Sequence, residues 1–279
     1  MTPGADYVIY NGQLQTAAGF SLPHSSRAAL YGDGFFETMV WTAGRVGYLA
    51  GHLARLQQAA AVLRLELPPE LQSAEAIAAE ASRLVAATSR EQARLRLQCW
   101  RGGAGLYLPE TNRADYLLAA ADLHLNDKPI NEAGFARQVQ TLPGPLAFCK
   151  GPQGWLYVLA AQERQARGLG ELLLLDAHGA VAEAVAAAVF WIQDGALYTP
   201  ALTTGCVAGV RRAHLLQVAR ERGIECHEGH FSAAQVLASE AVFTANVAGL
   251  RAVQRIEQSL FESEDHALLQ DLRVWEQVA

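Results

Sequence analysis

"LYTPALTTGCVAGVRR", residues 197–212, changes character halfway along. Leu197 to Pro200 reads as the end of a strand, and Val210 onward has helical spacing. Glycines at 205 and 209 stand among small residues between the two. A helix that starts after small residues presents backbone N–H groups with no intrahelical partner, and its dipole favours an anion there. The stretch therefore reads as a cradle for a phosphate. A glycine pair before a helix is also an ordinary tight turn, so this reading rests on its neighbours.

Those neighbours lie upstream. "DAHGAVAEAVAAAVF", 176–190, is almost wholly apolar yet carries Glu183, and a buried carboxylate is costly unless it meets a cation or a strong donor. "LAFCKGPQGW", 146–155, places Lys150 after an apolar run and before a helix. The chain's other lysine, Lys128, sits in the polar stretch "HLNDKPINEAG". A desolvated lysine loses its charged form and becomes a nucleophilic amine suited to Schiff-base chemistry, which arginine cannot perform. An amine, a buried carboxylate and an anion cradle match the aldehyde, ring nitrogen and phosphate of pyridoxal 5'-phosphate.

The rest of the chain predicts an α+β protein. "YVIYNGQL" is a hairpin with Asn11-Gly12 at its turn, followed by strands on either side of Ala43-Gly44. Helical spacing from His52 puts Leu53, Leu56, Ala60 and Leu63 on one face; a second helix fits Ser73 to Thr88. Strands at Ala93–Trp100 and Asp115–Ala121 complete a mainly antiparallel first domain over 1–122, with a linker at 123–132. The larger domain, 133–279, opens with a strand near Ala136–Thr141 and a helix from Leu156 to Arg167. A meander follows: "ELLLLD", then "AVAEAVAAAVFWI" as one strand, then "ALYTP". A helix at Val210–Arg222, a strand "IECHEGHF", a helix at Ala233–Ser239 and a strand "EAVFTAN" come last.

With these motifs in this order, the chain resembles the class IV pyridoxal-phosphate enzymes. That family holds the branched-chain and D-amino-acid aminotransferases and 4-amino-4-deoxychorismate lyase. "YGDGFFET", 31–38, resembles its N-terminal signature, and "HLARL", 52–56, its His-Leu-x-Arg-Leu helix start. The resemblance implies a two-domain D-amino-acid-aminotransferase-like fold (fold type IV), with the cofactor between the domains. It also implies Lys150 as the catalytic Schiff-base residue, Glu183 on the pyridine nitrogen, and Arg55 on the phosphate. The N–H groups of Val210 and Arg211, ahead of Arg212, would cradle that phosphate, with Val207 against the ring. A homodimer is implied as well. The chain departs from the usual pattern in the run Ala184–Ala188, in Arg211 and Val247, and in Trp155 where a tyrosine is common.

Thr38 and Asn246 resemble the lyase group more than the branched-chain group, which favours release of 4-aminobenzoate and pyruvate, a step of folate biosynthesis. The alternatives are a class IV aminotransferase on branched-chain or D-amino acids, and a non-catalytic member with a decayed cofactor site. Arg94 and Arg96 share one face of "ARLRLQCWR", and Arg96 is the residue chosen to meet a substrate carboxylate. Tyr31, Thr38 and Tyr107 are the other substrate-facing residues.

The formal net charge of -6 argues against nucleic-acid and anionic-membrane partners, which need dense basic patches. Four cysteines without a C-x-x-C pair, and an N-terminus without a secretory pattern, point to the cytoplasm. Cys226, His227 and His230 are close in sequence, but a strand sends the two histidines to opposite sides, so no metal site is expected.

Overall fold

The computed structural model describes residues 6–151 and 154–276, and these fall into two compact units. One comprises residues 6–124 and 149–151; the other comprises 125–148 and 154–276.

The first unit runs β1 (Tyr7–Tyr10), β2 (Gln13–Thr16), α1 (Arg27–Tyr31), β3 (Gly34–Thr42), β4 (Arg45–Val46), α2 (Leu49–Leu63), α3 (Ala74–Thr88), β5 (Ala93–Arg101) and β6 (Ala114–Ala121). Its six strands form one sheet in the order β2-β1-β6-β5-β3-β4, antiparallel throughout. Alternation decides which side faces the core: Ala93, Leu95, Leu97 and Cys99 of β5 are buried, while Arg94 is exposed. Asn11 takes a positive φ of 46° at the expected hairpin turn. Ser73 precedes α3 and accepts the Ala76 N–H at 3.2 Å, capping the helix.

Gly34, where β3 begins, has no room for a side chain: a Cβ there would lie 2.2 Å from the Cys99 carbonyl oxygen and 2.7 Å from the Trp100 Cα. Both obstacles are backbone of the neighbouring strand, so the strands would have to part. Gly34→Ala is expected to cost about 1–3 kcal/mol in urea denaturation.

The second unit runs β7 (Ala133–Phe135), α4 (Gly154–Ala166), β8 (Glu171–Leu175), β9 (Val181–Ala184), β10 (Ala188–Gln193), β11 (Ala196–Pro200), α5 (Val210–Glu221), β12 (Cys226–Gly229), α6 (Ala233–Leu237), β13 (Ala241–Asn246), β14 (Gly249–Val253), β15 (Arg255–Ile256), β16 (Ser259–Leu260) and α7 (Ala267–Trp275). Two five-stranded sheets result, β12-β11-β10-β13-β14 and β16-β15-β7-β8-β9. A core including Leu173, Val181, Val189, Trp191, Val242 and Val253 draws on strands of both sheets. A second core joins β10, β11, β13 and β14 to α5 and α7 through Phe190, Phe243, Leu216 and Leu269. Residues 126–130 lie along β14, with Asn126 N–H donating to the Ala248 carbonyl and Ile130 N–H to that of Ala252.

Two expectations are corrected. No strand forms at 136–141. Ala136 N–H still reaches the Leu173 carbonyl, but the next two amides turn to the Glu163 carboxylate: Arg137 N–H at 3.1 Å and Gln138 N–H at 3.0 Å. A side chain thus takes donors that a ladder would have used. The run 180–192 is not one strand either. Ala184 N–H donates to the Ala187 carbonyl, the chain bends, and β9 and β10 join different sheets. The sequence beyond Asn246 adds three strands and α7, where no element was expected. Among the described residues, no helix is long and apolar enough to cross a membrane.

Candidate functional site

In the first unit the site grows from β3. Odd positions of this strand point toward α2 and even positions point away, so Glu37 and Thr38 serve different faces. Glu37 is 1% exposed and lies among apolar strand residues. α2 brings it two partners three residues apart on the helix's buried face. His52 Nδ1 lies 2.6 Å from Glu37 Oε2, and Arg55 Nε donates to Oε1 at 2.7 Å while its Nη2 reaches Oε2. Burial pushes the Glu37 carboxyl up, but hydrogen bonds and charge from His52 and Arg55 outweigh it and hold the group below its ordinary value. Arg55, 6% exposed, is thereby presented in a fixed orientation.

Lys150 is tied to the same strand. Its carbonyl accepts the Phe36 N–H at 2.8 Å, making an antiparallel bridge, and the residue is half-buried. The neighbouring Cys149 thiol is pushed up to about 11, by burial first, with Arg55 lowering it and Glu37 raising it. The charges on α2 and β3 are therefore felt one residue away from Lys150.

The opposite face of β3 carries Thr38, one of the expected substrate residues. Thr38 is buried and stands directly across the ladder from Arg96. The Arg96 guanidinium lies 3.7 Å from the Phe36 ring centroid, and no described residue makes an ion pair with it. Burial, then the charge of Arg94, lowers its affinity for its proton. Tyr31 and Tyr107 stand together, ring centroids 5.9 Å apart, at the end of α1 and in the loop after β5. That loop is held by Arg27 Nη1, which donates to the carbonyls of Gly105 and Leu106, yet Tyr107 itself is 92% exposed. Arg101 is fully engaged with Asp33, Asn112 and the Leu63 carbonyl, which makes it a brace for the loop after β5.

The second unit assembles the other group. Glu183 on β9 is 4% exposed; Oε1 accepts the Tyr157 hydroxyl at 2.7 Å, and Oε2 accepts the Val207 N–H at 3.1 Å. The glycine turn that follows is enforced at Gly205, which takes φ +84°, and where a Cβ would lie 2.7 Å from the Leu142 carbonyl carbon. Gly209 is the N-cap of α5 and has no capping side chain, so the amides of Val210 and Arg211 open the helix. The Arg211 side chain turns away from that first turn. It donates to both oxygens of Glu276 and, at 2.7 Å, to the Asn246 carbonyl. Arg212 is buried and reaches the Pro200 carbonyl at 2.7 Å and Glu228 at 2.8 Å. Asn246 spans the bend between β9 and β10, donating to the Ala186 carbonyl at 3.0 Å and accepting the Ala248 N–H at 2.8 Å.

These residues fit pyridoxal 5'-phosphate. A buried carboxylate is an acceptor suited to the N–H of a protonated ring nitrogen. An uncapped helix start offers amides to a phosphate. Sequence reasoning did not single out three residues that hold the expected site residues in place: Glu37 and His52 beside Arg55, and Tyr157 beside Glu183. Glu37 carried the same signal as Glu183, an acid inside an apolar strand. Tyr157 carried none.

The family model described as amino-transferase class IV matches residues 34–256. The branched-chain-amino-acid aminotransferase of Escherichia coli (strain K12) is 26% identical over 259 residues, covering 88% of this chain and 81% of that protein. Among solved structures, the branched-chain aminotransferase of Thermoproteus uzoniensis superposes with a TM-score of 0.88 at 21% identity, covering 98% of this chain and 94% of the other. The 4-amino-4-deoxychorismate lyase of Pseudomonas aeruginosa superposes with a TM-score of 0.82 at 26% identity, covering 96% and 97%.

Proposed function

Because the chain belongs to the amino-transferase class IV family of pyridoxal-phosphate enzymes, we propose that it converts 4-amino-4-deoxychorismate to 4-aminobenzoate and pyruvate. The observation that carries this reading is Arg96. It is half-buried against Phe36, has no ion-pair partner among the described residues, and stands across from the hydroxyl-bearing Thr38. A partly desolvated cation of this kind calls for a carboxylate. Arg94, on the same strand face, supplies a second cation. The lyase substrate brings two carboxylates and a polar ring. A branched-chain amino acid brings one carboxylate and an apolar side chain.

In this reading Lys150 supplies the amine that holds the cofactor, and Glu183 partners the ring nitrogen. Val210 and Arg211 offer backbone N–H groups to the phosphate, Arg55 a guanidinium, and Val207 packs on the ring. When bound, the cofactor supplies an electron sink for the carbon that bears the substrate amine. The Lys150 Nζ, released by substrate, takes the proton from that carbon. The bond from the ring to the enolpyruvyl oxygen then breaks. Pyruvate leaves as its enol and takes up a proton, while the ring becomes aromatic. Thr38 and Arg96 orient the substrate.

The proposal includes a homodimer, supported by the consecutive exposed apolar residues Leu106, Tyr107 and Leu108, and a cytoplasmic location, supported by the four free cysteines. The reaction is tested by supplying purified enzyme with aminodeoxychorismate and following 4-aminobenzoate, then with branched-chain or D-amino acids and a keto acid acceptor. 4-Aminobenzoate formation supports the lyase. Amino-group transfer without 4-aminobenzoate overturns it in favour of an aminotransferase.

A further inference from the structure

Tyr157 lies on α4, seven residues beyond Lys150, and its hydroxyl ends 2.7 Å from Glu183 Oε1. The ring packs beside the small core of Leu156, Ala160, Leu172 and Leu174, so the phenol arrives on a rigid element. Val207 N–H holds the other carboxylate oxygen at 3.1 Å. The two contacts differ in kind. The Val207 amide belongs to the turn itself, whereas the phenol is a side chain delivered from a separate helix.

We propose that Tyr157 is a positioning residue that acts through Glu183: its hydroxyl sets the carboxylate's orientation and electron density, so that the proton stays on the cofactor's ring nitrogen. The inference rests on the assignment of Glu183 to that nitrogen. A phenol donating to one oxygen makes the carboxylate a weaker competitor for the shared proton. It also fixes the side chain, so that the carboxylate need not reorganise when the ring binds. The proton on the ring nitrogen is what makes the ring an effective electron sink, so the phenol tunes the chemistry without touching the reacting carbon.

The test uses the full chain loaded with pyridoxal 5'-phosphate labelled with nitrogen-15 in the ring. In Tyr157→Phe the ring-nitrogen resonance is expected to move downfield, toward that of neutral pyridine. The cofactor dissociation constant should rise on the order of 3- to 10-fold, as expected for one lost hydrogen bond. A purely structural role would lower the melting temperature and leave that resonance in place. In the Glu183→Gln background, Tyr157→Phe should add nothing to the nitrogen shift, because its route has been removed. If Tyr157→Phe does not fold, site-specific replacement of Tyr157 by 3,5-difluorotyrosine preserves shape while making the phenol more acidic, and the resonance should still move. An unchanged resonance in a variant that binds the cofactor overturns the proposal. So does a Tyr157→Phe shift that persists in full in Glu183→Gln. Failure of the unaltered chain to take up the cofactor would instead overturn the functional reading beneath it, and the proposal with it.

Discussion

Replacing Lys150 with alanine or arginine is expected to lower turnover by at least about 10³-fold, the range that separates a positioned proton-transfer group from none. Arginine is the sharper test. It keeps the charge and much of the length, but its guanidinium stays protonated and forms no useful imine. A surface lysine or one that only neutralised a nearby anion would tolerate the change. The tie between this segment and β3 runs through the Lys150 carbonyl and the Phe36 N–H, which both substitutions preserve. The variants should therefore melt within a few degrees of the unaltered protein. Activity within about tenfold of the original in Lys150→Arg would remove Lys150 from the chemistry.

The second large effect is predicted at Glu37. Glu37→Gln leaves Arg55 and His52 facing a neutral amide in a place where Glu37 was 1% exposed. Removing one partner of a buried pair costs about 3–5 kcal/mol, because the remaining charge keeps its desolvation penalty. Urea denaturation should show that loss at neutral pH. The pH dependence follows from the direction of the Glu37 shift. The carboxyl sits below its ordinary 4.5 in the folded chain, through His52 and Arg55 acting against burial. Its contribution is complete above the unfolded value and disappears as pH falls through the folded one. Between the two, the unfolded chain binds the proton and the folded chain does not. The stability gap between the original protein and Glu37→Gln should therefore narrow below about pH 4.5. A gap that stays constant down to pH 3 would mean that Glu37 contributes through packing alone. The same variant should weaken cofactor binding if Arg55 meets the phosphate, since Glu37 holds the guanidinium in place.

How much of this was legible in the sequence depended on whether a residue broke its local pattern. Lys150 stood out as one of two lysines, set at the end of an apolar run, and Glu183 as an acid inside one; the structure places Glu183 fully inside, with donors on both oxygens. Glu37 is likewise an acid in the apolar strand "FFETMVW", but the polar Thr38 beside it breaks the apolar run and weakens the signal. Arg55 was singled out by the family resemblance alone, because its local pattern is that of an amphipathic helix; the structure adds that it and His52 are on the buried face. Tyr157 was illegible, because a tyrosine in a helix breaks no pattern. The sheet change at Ala184–Ala188 was equally hidden: when both faces of a strand are buried, apolar residues run on without periodicity and nothing marks where one sheet ends. At 136–141 the extended pattern was visible, but the Glu163 carboxylate that captures the amides comes from 25 residues further on. Local sequence records propensity; it does not record which side chain will compete for a backbone donor.

The most direct test of the account is to load the purified chain with pyridoxal 5'-phosphate, reduce it with borohydride, and map the modified peptide by mass spectrometry. One pyridoxyl-phosphate adduct is expected, on Lys150, with Lys128 unmodified. An adduct on Lys128 alone, or a chain that takes up no cofactor and shows no adduct, would contradict it.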